Sequence, residues 1–175
     1  MHCRSGLDIK FFTIDLENIA KGTPLGKDPP SHISISSLSP ESFFSSPSLA
    51  RSRHSPVHKA DALRLLLVYK FGGFYLDLDY IVLNPLVHYT NIVVGNKPET
   101  RTTGRISVTN NAFSFTPGHP VLGLALTQVK RRYDPSCWNC IGPKLITSAV
   151  RRHTRARVVQ NIPSQADVHF VPLYR

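Results

Sequence analysis

Acid is scarce in this sequence. Its 175 residues hold 11 Asp and Glu against 21 Lys and Arg, a formal net charge of +10. Such an excess raises the question of a polyanionic partner, nucleic acid or an anionic membrane surface. The densest clusters, Lys130-Arg131-Arg132 and Arg151-Arg152-His153-Thr154-Arg155-Ala156-Arg157, fall at the ends of predicted helices, where the helix dipole favours cations. Neither is interleaved with aromatics as a base-stacking surface would be, so no nucleic-acid partner is expected. Cysteine is scarcer still. Cys3, Cys137 and Cys140 are too few for a disulfide framework, and no second pair exists to complete a zinc site. The Cys137-Trp138-Asn139-Cys140 pair follows a helix and a Tyr133-Asp134-Pro135 turn rather than a strand, which excludes a thioredoxin-like setting and leaves a local disulfide or two free thiols. No apolar run reaches the ~20 residues that span a bilayer, and residues 1–8 lack the apolar core of a signal peptide.

What is present is a globular composition, 41% hydrophobic and 18% charged, enough for one domain with a core. Ile9–Ile14 reads as a strand, followed by a helical turn near Leu16–Ala20 that ends at Gly22. Between Ser31 and Pro56 eleven serines and three prolines predict a long loop. Lys59–Lys70 is rich in helix formers and stops at Gly72-Gly73. It is apolar in almost every direction except the face carrying Asp61 and Arg64, three apart and therefore neighbours; that face is expected to be exposed. Strands follow at Phe74–Leu76, Asn91–Gly95 and, by alternation, Ile106–Phe115. Gly118-His119-Pro120 opens a helix to about Tyr133, and Gly142-Pro143 opens another to Arg152. Short strands at Arg157–Gln160 and Val168–Val171 close the chain. Strands alternating with helices argue for an α/β domain.

One stretch stands out: Lys70-Phe71-Gly72-Gly73-Phe74-Tyr75-Leu76-Asp77-Leu78-Asp79-Tyr80-Ile81-Val82-Leu83. Two carboxylates sit two apart at the end of an apolar run. In an extended segment they point the same way, ~7 Å apart at Cα, so both reach one ligand. Like charges in such a setting call for a cation, and a divalent metal, Mn²⁺ or Mg²⁺, meets the need. Three chemistries use acids placed so. A chitinase-like glycosidase needs a general acid where Ile81 stands. A haloacid-dehalogenase-like phosphotransferase needs a later acidic pair, whereas Glu99, Asp134 and Asp167 are isolated. In nucleotide-sugar transfer the aspartates hold a metal that bridges the two phosphates of a UDP-sugar.

The residues around the aspartates favour the third. Ala60-Asp61-Ala62-Leu63-Arg64, Tyr69 to Asp79 and Ile81-Val82-Leu83 resemble the DXD sugar-binding region of the α-1,4-glycosyltransferases, the family of globotriaosylceramide synthases and α-1,4-N-acetylglucosaminyltransferases. Lys21-Gly22-Thr23-Pro24-Leu25, Asn110-Asn111-Ala112-Phe113 with Gly118-His119-Pro120, and Trp138 with Gly142-Pro143-Lys144-Leu145-Ile146-Thr147 resemble further blocks of that family.

The resemblance implies a GT-A-like, Rossmann-like fold within one partial domain over residues 1–175. It divides into the loop at 31–56, the sugar-binding region at 59–86 and an α-1,4-glycosyltransferase region at 106–175. It implies a metal-dependent, retaining transfer of a hexose or N-acetylhexosamine in α linkage from UDP-galactose, UDP-N-acetylgalactosamine or UDP-N-acetylglucosamine to a glycolipid or glycan acceptor. Asp77 and Asp79 would be the metal and diphosphate residues. Asp61, Arg64, Gly73, Tyr75, Asn110, Asn111 and Gly142 would attend the donor sugar, although Gly72-Gly73 also serves as a helix stop and the asparagines also suit a turn. Glu17, Glu41 and Glu99 match no motif, which favours a front-face mechanism without a protein nucleophile. The family works from the lumenal side of the Golgi membrane through an anchor and stem, and it has a nucleotide-binding strand and helix before Phe11 and a His-containing segment past Arg175. The sequence therefore reads as a domain incomplete at both ends, with an inactive truncated family member as the alternative.

Overall fold

The structure, a computed structural model, describes residues 9–13, 31, 33–37, 56–77, 79–81, 90–96, 107–131, 137, 140–160 and 169–172. The chain divides into two compact units, Met1–Ser52 and Arg53–Arg175. In the first, β1 (Ile9–Thr13) and β2 (Ile33–Ser37) pair in parallel, from Ile9 opposite Ile33 to Thr13 opposite Ser37. β1 falls where the sequence predicts it. β2 does not: it lies inside the stretch that reads as loop. Ile33-Ser34-Ile35-Ser36 carries a strand period, hidden by its serine content, and a partner ladder is what stabilises so short a segment. The turn expected near Leu16–Ala20 lies outside the described residues.

The second unit contains α1 (Pro56–Phe71), β3 (Gly73–Leu76), β4 (Ile92–Asn96), β5 (Ser107–Phe115), α2 (Pro120–Arg131), α3 (Pro143–Gln160) and β6 (His169–Pro172). Its strands are ordered β3-β5-β4-β6, with β5 antiparallel to β3 and β4 and with β6 parallel to β4. Helices and strands mix as the alternation predicts.

α1 starts on Pro56, whose fixed φ and missing N–H suit a first turn. It ends because Gly72 and Gly73 take φ of +69° and +90°, and the Gly72 N–H donates to the Val68 carbonyl at 2.8 Å. A Cβ at residue 72 would also lie 2.6 Å from Pro117 Cδ. Glycine is therefore required there by both backbone and packing.

β5 departs from the expected alternation. It is buried almost throughout, because it is central in its sheet and both α1 and α3 pack on it. Phe113, Phe115, Leu65, Leu122, Ile146, Val93, Val108 and Val121 are fully buried. Each such side chain contributes about 1.5–3 kcal/mol through its removal from water. Thr147 ties α3 to β5: its Oγ1 accepts from the Val108 N–H at 3.0 Å and donates to the Val108 carbonyl at 3.1 Å.

The strand expected at Arg157–Gln160 is helix instead. α3 runs unbroken to Gln160, since Arg, Ala and Gln form helix well and no Gly or Pro intervenes between Pro143 and Gln160. The Arg151–Arg157 run consequently lies within a helix rather than at its end. Of the two states left open for Cys137 and Cys140, the disulfide is the one present, with Cα atoms 5.5 Å apart, just before α3. Trp138 lies outside the described residues. Among the described residues no helix is long and apolar enough to cross a membrane.

Candidate functional site

Three elements of the second unit converge on one polar cluster. α1 carries Asp61 and Arg64 one turn apart. β3 carries Tyr75 and ends at Leu76, opposite Ala112 of β5, so that the Asp77 N–H donates to the Asn111 carbonyl at 2.8 Å. β5 carries Asn110 and Asn111. The asparagines therefore sit within a central strand, and the turn reading of them falls away.

Arg64 is the centre of the cluster. Its Nη2 lies 3.3 Å from Asp61 Oδ1, and its Nη1 lies 3.2 Å from Asp77 Oδ1 while donating to the Asn110 carbonyl at 3.0 Å. The guanidinium also stands 4.7 Å from the centroid of the Tyr75 ring, a cation–π contact. Its Nε is buried without an acceptor. Asp61 Oδ1 accepts from Asn110 Nδ2 at 2.7 Å, and Asp77 Oδ1 accepts from the Tyr75 hydroxyl at 2.6 Å. Gly142, immediately before α3, completes the cluster by what it lacks: a Cβ there would lie 2.9 Å from Asp61 Oδ2 and 3.1 Å from Asn110 Nδ2.

The face of α1 that the sequence leaves exposed is thus covered. Asp61 is only 6% exposed, and burial pushes its carboxyl above the usual carboxylate range. The Arg64 charge, the Asn110 hydrogen bond and the nearby His58 oppose that rise, and Asp77 adds to it. Burial likewise raises the Tyr75 phenol well above its ordinary value, reinforced by its bond to Asp77, so the hydroxyl stays a donor.

The two aspartates are not presented by a strand. β3 stops at Leu76, and the Tyr80 N–H donates to the Asp77 carbonyl at 3.2 Å, so the segment bends into a turn. The alternation expected to aim both carboxylates the same way ends where they begin. The Asp77 side chain, 32% exposed, turns to Arg64, whereas Asp79 is exposed in the turn. Among the described residues no group of three or more His, Cys, Asp and Glu forms a metal cluster.

Asp61, Arg64, Tyr75, Asp77, Asn110, Asn111 and Gly142 are brought together. Gly73 is not: it pairs with Phe115 at the far end of β3, ~13 Å along the strand from Asp77. Two residues escaped sequence reasoning. Tyr80 donates to Asn111 Oδ1 at 3.1 Å, a contact across 31 residues that no local pattern signals. His58, buried on α1, precedes Asp61 by three, a helical spacing that could have flagged it.

Similarity to known proteins places the chain that carries this cluster in a class of sugar transferases. The chain belongs to the glycosyltransferases with a DXD motif: residues 8–99 match the family profile described as "Glycosyltransferase sugar-binding region containing DXD motif". Residues 114–173 match the "Alpha 1,4-glycosyltransferase conserved region". A mouse lactosylceramide 4-alpha-galactosyltransferase is 37% identical over 109 residues, 59% of this chain and 28% of that protein. A human alpha-1,4-N-acetylglucosaminyltransferase is 26% identical over 148 residues, 84% of this chain and 37% of that protein. Inositol phosphoceramide mannosyltransferase 3 of Schizosaccharomyces pombe is 39% identical over 69 residues, 38% of this chain and 17% of that protein. The chain therefore spans 17–37% of the length of these relatives.

Proposed function

We propose that the cluster is the donor half of a metal-dependent retaining glycosyltransferase that moves a hexose or N-acetylhexosamine from a UDP-sugar, in α-1,4 linkage, to a glycolipid or glycan acceptor. The observation that carries this reading is the meeting of Asp61, Arg64, Asp77 and Asn110 beside the DXD turn of a family member. UDP-galactose, UDP-N-acetylgalactosamine and UDP-N-acetylglucosamine are the candidate donors. The fold is read as GT-A-like, and the working place as the lumenal side of the Golgi membrane, in keeping with relatives named for galactosyl transfer to lactosylceramide.

The donor set suits a hard divalent ion, Mn²⁺ or Mg²⁺. Asp79 is exposed and the Asp77 side chain is a third exposed. Two carboxylates, with no third His, Cys, Asp or Glu grouped with them among the described residues, fit an ion that shares its remaining positions with phosphate oxygens and water. Asp77 and Asp79 would hold that ion, which supplies charge neutralisation to the departing diphosphate. Asp61, pinned by Asn110 and Arg64, presents a fixed acceptor for sugar hydroxyls. Tyr75 keeps Asp77 oriented, and Asn111 holds the turn through the Asp77 N–H and the Tyr80 hydroxyl. Gly142 keeps the wall beside Asp61 free of a side chain. Calorimetry with UDP and UDP-sugars in Mn²⁺ tests the reading: the wild type binds and Asp79→Ala loses binding. Equal binding by the two proteins, or none by the folded wild type, overturns it.

A further inference from the structure

We infer that Arg64 competes with the divalent ion for Asp77, and so sets how tightly the chain takes a metal when no nucleotide is present. The inference rests on the reading of Asp77 and Asp79 as the metal residues and adds a control that neither carboxylate reveals. Asp77 Oδ1 is already occupied, receiving Arg64 Nη1 at 3.2 Å and the Tyr75 hydroxyl at 2.6 Å. A carboxylate oxygen offers about two lone-pair directions, so an ion that takes Asp77 through Oδ1, alone or together with Oδ2, must displace one of these donors. The guanidinium is the one whose charge an arriving cation repels.

Arg64 can yield without being stranded. When Asp77 leaves, Nη2 keeps Asp61 Oδ1 at 3.3 Å and Nη1 keeps the Asn110 carbonyl at 3.0 Å. Asp61 in turn stays fixed by Asn110 Nδ2 at 2.7 Å. The buried cation therefore retains a carboxylate partner in both arrangements, the condition for an exchange that leaves no unpaired charge in the interior. With an unused Nε, the guanidinium is also not locked by a full set of acceptors. In the structure Asp61 and Asp77 share one cation, and the ion would take over the second share.

The sign of one measurement separates this role from its rivals. If Arg64 served only the donor sugar, its removal would leave metal affinity alone. If it served only to align Asp77, its removal would weaken metal binding. Competition predicts the opposite: Mn²⁺ binds Arg64→Met about tenfold more tightly than wild type, the order expected for removing one nearby cation from a partly solvated site. Water-proton relaxation of Mn²⁺ solutions, titrated with the 175-residue chain and no nucleotide, reads this directly. Unchanged or weaker binding by Arg64→Met overturns the inference. Should that variant fail to fold by circular dichroism, the wild type decides. Saturation with Mg²⁺ shifts the ¹⁵N resonance of the Arg64 side chain if the guanidinium leaves Asp77, and an unmoved resonance overturns the inference. Asp79→Ala separates the two levels. Equal Mn²⁺ binding by Asp79→Ala and wild type overturns the metal site itself and the inference with it. Loss of binding in Asp79→Ala beside an unaltered Arg64→Met overturns the competition alone.

Discussion

Strand β5 holds apolar core at one end and the polar cluster nearer the other, and the two are stabilised by different physics. Phe113 and Phe115 are each 1% exposed and touch through their rings at 6.1 Å between centroids. Their contribution comes from removal of apolar area from water, which has no direction and declines gradually as atoms are deleted. Asn110, three residues before Phe113 on the strand, and Asp61 and Arg64 of α1 contribute little net stability as pairs. Removing one member leaves a buried charge or amide without its partner, so each depends on all the others. The core end of the strand sets whether the unit is folded. The cluster end sets whether the folded unit keeps the proposed donor site, and Tyr75, stacked 5.5 Å from Phe113, joins them.

The largest test of that contrast is Phe113→Ala. It should destabilise the second unit by about 3–5 kcal/mol in urea denaturation, with the site lost along with the fold. A loss under about 1 kcal/mol would show that the core does not depend on this ring. Next comes Gly142→Ala, which should cost about 1–3 kcal/mol, because the new methyl must push aside Asp61 Oδ2 at 2.9 Å. Unlike the Phe113 change, it should abolish Mn²⁺-dependent UDP-sugar binding at temperatures where the protein is still folded. Intact binding would mean that the cluster end tolerates displacement as the core does. The smallest effect is a pH slope. Asp61 has its folded pKa raised above an ordinary 3.8, so the folded state holds its proton longer than the unfolded chain does. Stability is therefore lost as pH climbs from about 3.8 through the raised value. Asp61→Asn should lack that loss, and melting temperatures measured across the window should diverge in the variant's favour as pH rises. Parallel curves would show that Arg64 and Asn110 fully offset the burial of Asp61.

The elements nearest the site were the easiest to read. α1, β3 and β5 were legible from helix formers, paired glycines and alternation respectively, since these are local preferences that tertiary contacts reinforce. The sites of α2 and α3 were marked by Pro120 and Pro143. The misreadings share a cause. β2 was hidden in a serine-rich stretch because the stabilising partner, β1, is not adjacent in sequence. The end of α3 was misplaced because β-branched Val158 and Val159 look like strand, whereas a helix already running with no breaker carries them along. β5 looked amphipathic because nothing local says that a strand will be central and covered on both faces.

For the proposed site, the sequence put the groups forward: Asp77 and Asp79 by standing two apart after an apolar run, and Asp61 and Arg64, three apart on a helix, by the family resemblance. Such spacings are properties of the chain and survive any packing. The tertiary structure decided what those groups face. Asp61 meets Asn110 across 49 residues and Arg64 reaches the Asn110 carbonyl across 46, contacts that exist only because α1 packs on β5. Burial then turned a face expected in solvent into a charged interior, and an interior charge must have a partner. Arg64, which the sequence offered as a hand for a sugar, is for that reason already holding Asp77.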